Sequence, residues 1–212
     1  MEPIFSKTLK ENTSVLTNNK DASEADADAL LHPIIEHLNH NLSILATGLQ
    51  PKLAQHVIYR IWIDTVLRLL VHYLGPLSYY PDSSPTGNSL LKSSLDSRQV
   101  GLIKHWLKLL VSFFHAGGEG LGLPQDILEK GSYFYVECQT LIQYAKFDTS
   151  ELVQIAQQLC VKDAPPGRWS LYRLLRGRTL WDSSNNTEAV KAALTSLSSR
   201  REELLAANLI VL

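Results

Sequence analysis

Between Leu31 and Leu49, apolar side chains fall at Leu31, Ile34, Ile35, Leu38, Leu42, Leu45 and Leu49, the three- and four-residue spacing of one helix face. Pro33 suits the first turn of that helix, where its missing N–H would go unpaired in any case, and Gly48 marks the end. Pro51 opens a second helix, with Leu53, Val57, Ile58, Ile61, Trp62, Val66, Leu69, Leu70 and Tyr73 on a broad apolar face, and Gly75-Pro76 stops it. Arg60, Asp64, Arg68 and His72 recur every fourth residue through it. That polar stripe forms i, i+4 ion pairs and argues against a membrane span over Val57 to Leu74.

The segment GPLSYYPDSSPTGNSLLKSS has turn chemistry and predicts an exposed loop. A third helix, capped by Asp96 or a neighbouring Ser, puts Leu102, Ile103, Trp106, Leu107, Leu110, Phe113 and Phe114 on one side and ends in HAGGEGLGLP. Glycines 117, 118, 120 and 122 allow left-handed backbone angles there, and Pro124 is placed to start the next helix, so a helical hairpin is expected. That fourth helix runs from Gln125 to about Lys146 with a kink at Gly131. Thr149 or Ser150 caps a fifth over Glu151 to Val161. A short helix RWSLYRLLRGR, a turn TLWDSSNN and a last helix from about Thr187 to Ala207 complete the chain. No segment alternates as a strand would. The expected fold is all-α, an antiparallel bundle of about five to seven helices. Residues 1–26, polar and without periodicity, read as a linker or disordered end; residues 27–163 form the bundle, and 164–212 pack on it as C-terminal helices.

Composition narrows the class of function. With 212 residues and 45% hydrophobic content the chain builds one core, and a net charge of -1 gives no field that would draw it onto nucleic acid. Cys138 and Cys160 lie in helical stretches outside any zinc spacing and read as reduced core thiols. The amino terminus lacks the apolar run of a signal peptide, which leads to the expectation of a cytoplasmic protein.

Clusters that suggest chemistry each have a structural reading. GGEGLG follows a helix instead of a strand and lacks the Lys-Ser/Thr of a phosphate loop. His32, Glu36, His37 and His40 crowd one helix without an HExxH motif or a third ligand at metal spacing. His115 suits a helix C-terminus. No nucleophile elbow or acid pair stands out, so no enzyme, cofactor or metal is expected. Arg168, Arg173, Arg176 and Arg178, interleaved with Trp169, Tyr172 and Trp181, have two readings. They are solvated opposite a face of Leu171, Leu174 and Leu175, or they rest on an anionic membrane or an acidic partner.

Several motifs in this order resemble one family. They are Asn41-Leu42, Leu53, Trp62 within the RIW triplet, the turn Phe113-Phe114-His-Ala-Gly117-Gly118-Glu-Gly120-Leu121-x-Leu-Pro124, and Thr149-Ser-Glu-Leu. Together they resemble the second Munc-13-homology region of the Munc-13-like vesicle-tethering proteins, from about Leu31 to Leu159, most specifically over Phe113 to Pro124. The tail SLYRLLRGR followed by TEAVKAAL looks like the ending of the plant-type members. The stretch Trp181 to Asn186 and the last dozen residues depart from that pattern. The resemblance implies the terminal bundle of a helical rod that acts in vesicle tethering, priming and regulated exocytosis. Its implied partners are proteins of the exocytic fusion machinery, with peripheral contact at the plasma membrane or vesicles. A standalone adaptor that binds a partner helix, or itself, through an exposed apolar groove is the alternative.

Overall fold

The computed structural model describes residues 7–8, 23–74, 93–118, 122–130, 133–161 and 165–198 of the chain. Among them the fold is all-helical, a bundle of eight α-helices packed against one another. They are α1 Glu24–Gly48, α2 Pro51–Leu74, α3 Ser97–His115, α4 Gln125–Glu129, α5 Tyr133–Ala145, α6 Thr149–Val161, α7 Pro165–Trp181 and α8 Glu188–Ser198. The count exceeds the expected five to seven because the fourth predicted helix is two, α4 and α5. The glycine expected to kink it lies at 131, outside the described residues.

The first helix begins earlier than Pro33 implied. Ser23 caps α1 by accepting from the Asp26 amide while the Asp26 carboxylate accepts from the Ser23 amide at 2.8 Å, a reciprocal capping box. Pro33 therefore lies inside the helix, where it cannot donate to the preceding turn. Part of the expected linker thus belongs to the bundle, and Thr8 is also buried. The second and third helices start as predicted. Pro51 opens α2, and Asp96 caps α3 through the Gln99 amide at 2.7 Å, with the Gln99 side chain accepting from the Asp96 amide.

Two helices organise the core. Helix α5 packs against α2, α3, α4 and α7, and α7 packs against α5, α6, α8 and α2. Trp62 of α2 is fully buried between Phe114 and Tyr135, with ring centroids 5.3 and 5.6 Å away. Trp106 joins α3 to the start of α1 by donating its indole N–H to the Ala27 carbonyl at 2.8 Å. Next to it, His105 lies 2.6 Å from the Asp28 carboxylate. These contacts fix the amino-terminal half of α1 on α3.

The carboxyl-terminal half of α1 is less deeply buried among the described residues. Ala27, Leu31, Ile34 and Leu38 are buried, but from Asn39 to Leu49 no residue is, although the apolar spacing continues through Leu42, Leu45 and Leu49. Burial resumes on α2 at Ala54 and Ile58.

Candidate functional site

The arginine-rich segment forms a longer helix than expected, because Pro165 opens α7 and the predicted turn at Thr179 to Trp181 is still helical. Ser170, Leu171, Leu174, Leu175 and Arg178 are all buried, so one face of α7 is enclosed along its described length.

Two of the arginines point inward. Arg173 lies 3.1 Å from the Glu137 carboxylate of α5, and the two side chains are 13% and 2% exposed. Neither Glu137 oxygen accepts an aligned hydrogen bond from the described residues, so the contact is an ion pair. Burial pushes the Glu137 carboxyl up from its ordinary value, and the guanidinium offsets that only in part. Arg178, 1% exposed, donates to the Ala145 carbonyl at 3.3 Å. That same oxygen accepts from the Leu95 amide at 2.8 Å. A cation therefore sits at the carboxyl end of α5, where free carbonyls concentrate negative potential. Burial lowers the Arg178 guanidinium from its usual value, while the Asp148 and Glu151 carboxylates act in the opposite direction.

Arg176 is half-buried and reaches the Tyr172 hydroxyl at 3.2 Å. A solvated arginine face is thus corrected for Arg173 and Arg178, whose charges are matched by an acid and a helix terminus within the fold. The side chains of Arg168, Trp169 and Trp181 lie outside the described residues.

Beside Arg178, the start of α6 is capped by Asp148 instead of Thr149 or Ser150. Its carboxylate accepts from the Glu151 amide at 2.8 Å, and Glu151 accepts from the Asp148 amide. These hydrogen bonds, with one from the Ser150 hydroxyl, hold the Asp148 carboxyl below its ordinary value.

The glycine-rich turn is a hydrogen-bonded corner. Ala116 ends α3 with φ 47° and Gly117 follows at φ 66°, both left-handed. Gly118 closes the short 3-10 turn. Across the corner the Leu123 amide donates to the Phe114 carbonyl at 2.9 Å, and His115 Nδ1 donates to the Leu123 carbonyl at 3.0 Å. Pro124 occupies the cap position before α4. Gly120 and Leu121 lie outside the described residues. Phe114 is buried, and half-buried Phe113 packs on it edge to face at 5.2 Å.

Phe113 also helps line a groove of about 480 Å³ between the carboxyl half of α1, α2 and the corner. Leu42, Ala46, Ile58 and Phe114 give it an apolar wall, with Asn39, Ser43 and Ser112 as its polar lining. This juxtaposition escaped the sequence, because α1 and the corner are far apart along the chain.

The histidines pair locally: His32 with Glu36 at 3.0 Å, and His37 with the Asn41 amide at 3.3 Å. Among the described residues, no group of His, Cys, Asp and Glu is placed to hold a metal ion. Cys138 is a buried free thiol, pushed up by burial and by neighbouring Glu137. Among the described residues, no helix is long and apolar enough to cross a membrane.

Fold and site together define an all-helical bundle with two inward-facing arginines on α7 and, among the described residues, one incompletely buried helical hairpin. No family model and no solved structure matches the chain. The chain is similar to an uncharacterized protein of Schizosaccharomyces pombe, with 25% identity over 129 residues. That match covers 61% of this chain and spans only 9% of the yeast protein's length.

Proposed function

We propose that the chain is a non-catalytic helical interaction module acting in vesicle tethering or priming for exocytosis, at the cytoplasmic face of the plasma membrane or of vesicles. The observation that carries this reading is the Phe113 to Pro124 stretch. It bears the Munc-13-like resemblance most specifically, and its backbone is tied by the Phe114–Leu123 and His115–Leu123 hydrogen bonds. Similarity to a small part of a much longer protein accords with a module of a longer assembly. Proteins of the exocytic fusion machinery are the partners this reading names.

The test uses two vesicle populations bearing those fusion proteins, mixed with and without the chain, with pairing followed by fluorescence. Faster pairing than for vesicles lacking the fusion proteins is expected. Equal rates with and without the chain, across a full concentration series, refute the reading.

The groove beside Phe113 favours a second reading, an adaptor that seats a partner helix. Replacing Phe113 by Asp then abolishes capture of that helix, and on this reading the wild-type chain leaves the rate of vesicle pairing unchanged.

A further inference from the structure

The tip where α1 turns into α2 combines features found together nowhere else among the described residues. Ile44 and Leu53 are 57% and 52% exposed, and Leu42, Leu45 and Leu49 are only half-buried. Ile44 stands about 6 Å along the axis from the end of α1, at about 1.5 Å per residue, and Leu53 lies in the first turn of α2. Both therefore lie within about 6 Å of the tip along their helix axes.

Charge is sorted along the same hairpin. The acids of α1, Glu24, Asp26, Asp28 and Glu36, occupy its amino-terminal half. Residues 37–63 contain no acid at all, and residues 41–51 contain no charged side chain. Close behind the turn, Lys52 and Arg60 are exposed with His56 between them at four-residue intervals along one face of α2, Asp64 follows at the next interval, and His40 is exposed on α1. An uncharged apolar tip with Lys52 and Arg60 close behind it and no acid before Asp64 is complementary to anionic lipid. Apolar side chains gain by leaving water, and the two cations meet phosphate and carboxylate headgroups. An acidic half lying farthest from that surface avoids repulsion.

We propose that the α1–α2 tip is a docking surface for an anionic phospholipid membrane, with Ile44 and Leu53 inserted at the interface and Lys52 and Arg60 against the headgroups. The contact deepens the tethering reading and rests on it for the presence of a membrane. It displaces Arg173 and Arg178 of α7, which are occupied inside the bundle, as lipid-facing cations.

The experiment is flotation of the whole chain with protein-free vesicles of phosphatidylserine and phosphatidylcholine, and with phosphatidylcholine alone. Binding to the anionic vesicles only, weakened by salt, is expected. I44D/L53D lowers the bound fraction by about tenfold, because two apolar anchors are lost and two anions are introduced. K52E lowers it a few-fold, and R176A leaves it unchanged. Both positions of the double variant are exposed, and circular dichroism and thermal unfolding verify that it stays folded.

Wild-type chain that never floats, or I44D/L53D that floats like wild type, overturns the proposal. So does a wild-type dimer in sedimentation that I44D/L53D converts to monomer, since the tip is then an interface between copies. Failure here with faster pairing of vesicles bearing fusion proteins leaves the tethering reading intact. Flotation without that pairing removes tethering and keeps the lipid contact.

Discussion

Replacing Arg173 by Met takes the cation away from a carboxylate that is 2% exposed, while keeping most of the side-chain volume on α7. Removing one partner of a buried ion pair costs about 3–5 kcal/mol, because the remaining charge stays desolvated. Glu137 limits that loss by taking a proton, at about 1.4 kcal/mol per pH unit between its folded and unfolded values. A loss of about 2–4 kcal/mol near neutral pH is expected, against a total of roughly 5–15 kcal/mol for an ordinary domain.

The direction with pH follows from the raised Glu137 carboxyl. A carboxyl whose folded value lies above its unfolded one favours the folded state fully below the unfolded value, and that contribution is lost as pH rises through the folded value. In wild type this window lies upward from about 4.5. Without Arg173 the folded value rises further, so the variant loses more near neutrality and recovers on acidification. Urea unfolding of R173M, R173M/E137M and wild type near pH 7 and pH 5 measures both effects. The double variant, with no charge left to bury, is expected within about 1.5 kcal/mol of wild type. Equal destabilisation of R173M at both pH values, or a double variant as unstable as the single, refutes the argument.

Other variants test neighbouring features. A116G removes a side chain from left-handed backbone and is expected to leave stability unchanged or raise it by up to about 1 kcal/mol, whereas G117A is expected to cost about 1–2 kcal/mol in chemical denaturation. D148A removes the α6 cap and one of the carboxylates near Arg178, so its thermal midpoint falls; the wild-type contribution, from a lowered carboxyl, is present above pH 3.8 and disappears as pH drops through the folded value. W62A is expected to cost about 3–5 kcal/mol, and W62F less, because Phe keeps much of the ring packing and removes an indole N–H with no acceptor among the described residues.

Where sequence and structure agree, local chemistry decides the outcome. Pro51, Asp96 and Gly117 each fix a helix end through their own backbone or side chain, and their positions were readable, although the left-handed turn begins one residue before the glycines, at Ala116. At α1 two local signals compete. Pro33 reads as a first-turn residue, yet the Ser23 and Asp26 box starts the helix and Leu31 and Ile34 bury its face on the core despite the lost hydrogen bond. At α6, Asp148, Thr149 and Ser150 all offer an oxygen. The distinguishing signal was Glu151, three residues after Asp148, which completes the reciprocal bonds.

The arginines were not legible for a different reason. A charged side chain is read as solvated unless its partner is known, and here the partners are Glu137 and the Ala145 carbonyl, on another helix. The groove likewise needs α1, α2 and the corner brought together. What could be seen was that the Leu38, Leu42, Leu45, Leu49 spacing continues to the hairpin tip; that Leu42, Leu45 and Leu49 are only half-buried could not.

The Ala145 carbonyl, shared by the Leu95 amide and Arg178, also governs how the bundle answers a mechanical pull. Arg173 and Arg178 stand about 7.5 Å apart along α7, at about 1.5 Å per residue. Tension along that helix stretches both polar contacts together, in shear. Tension applied sideways through α8 reaches the Arg178 end first and peels α7 away one contact at a time. The bundle is therefore expected to yield at different forces according to the direction of the pull.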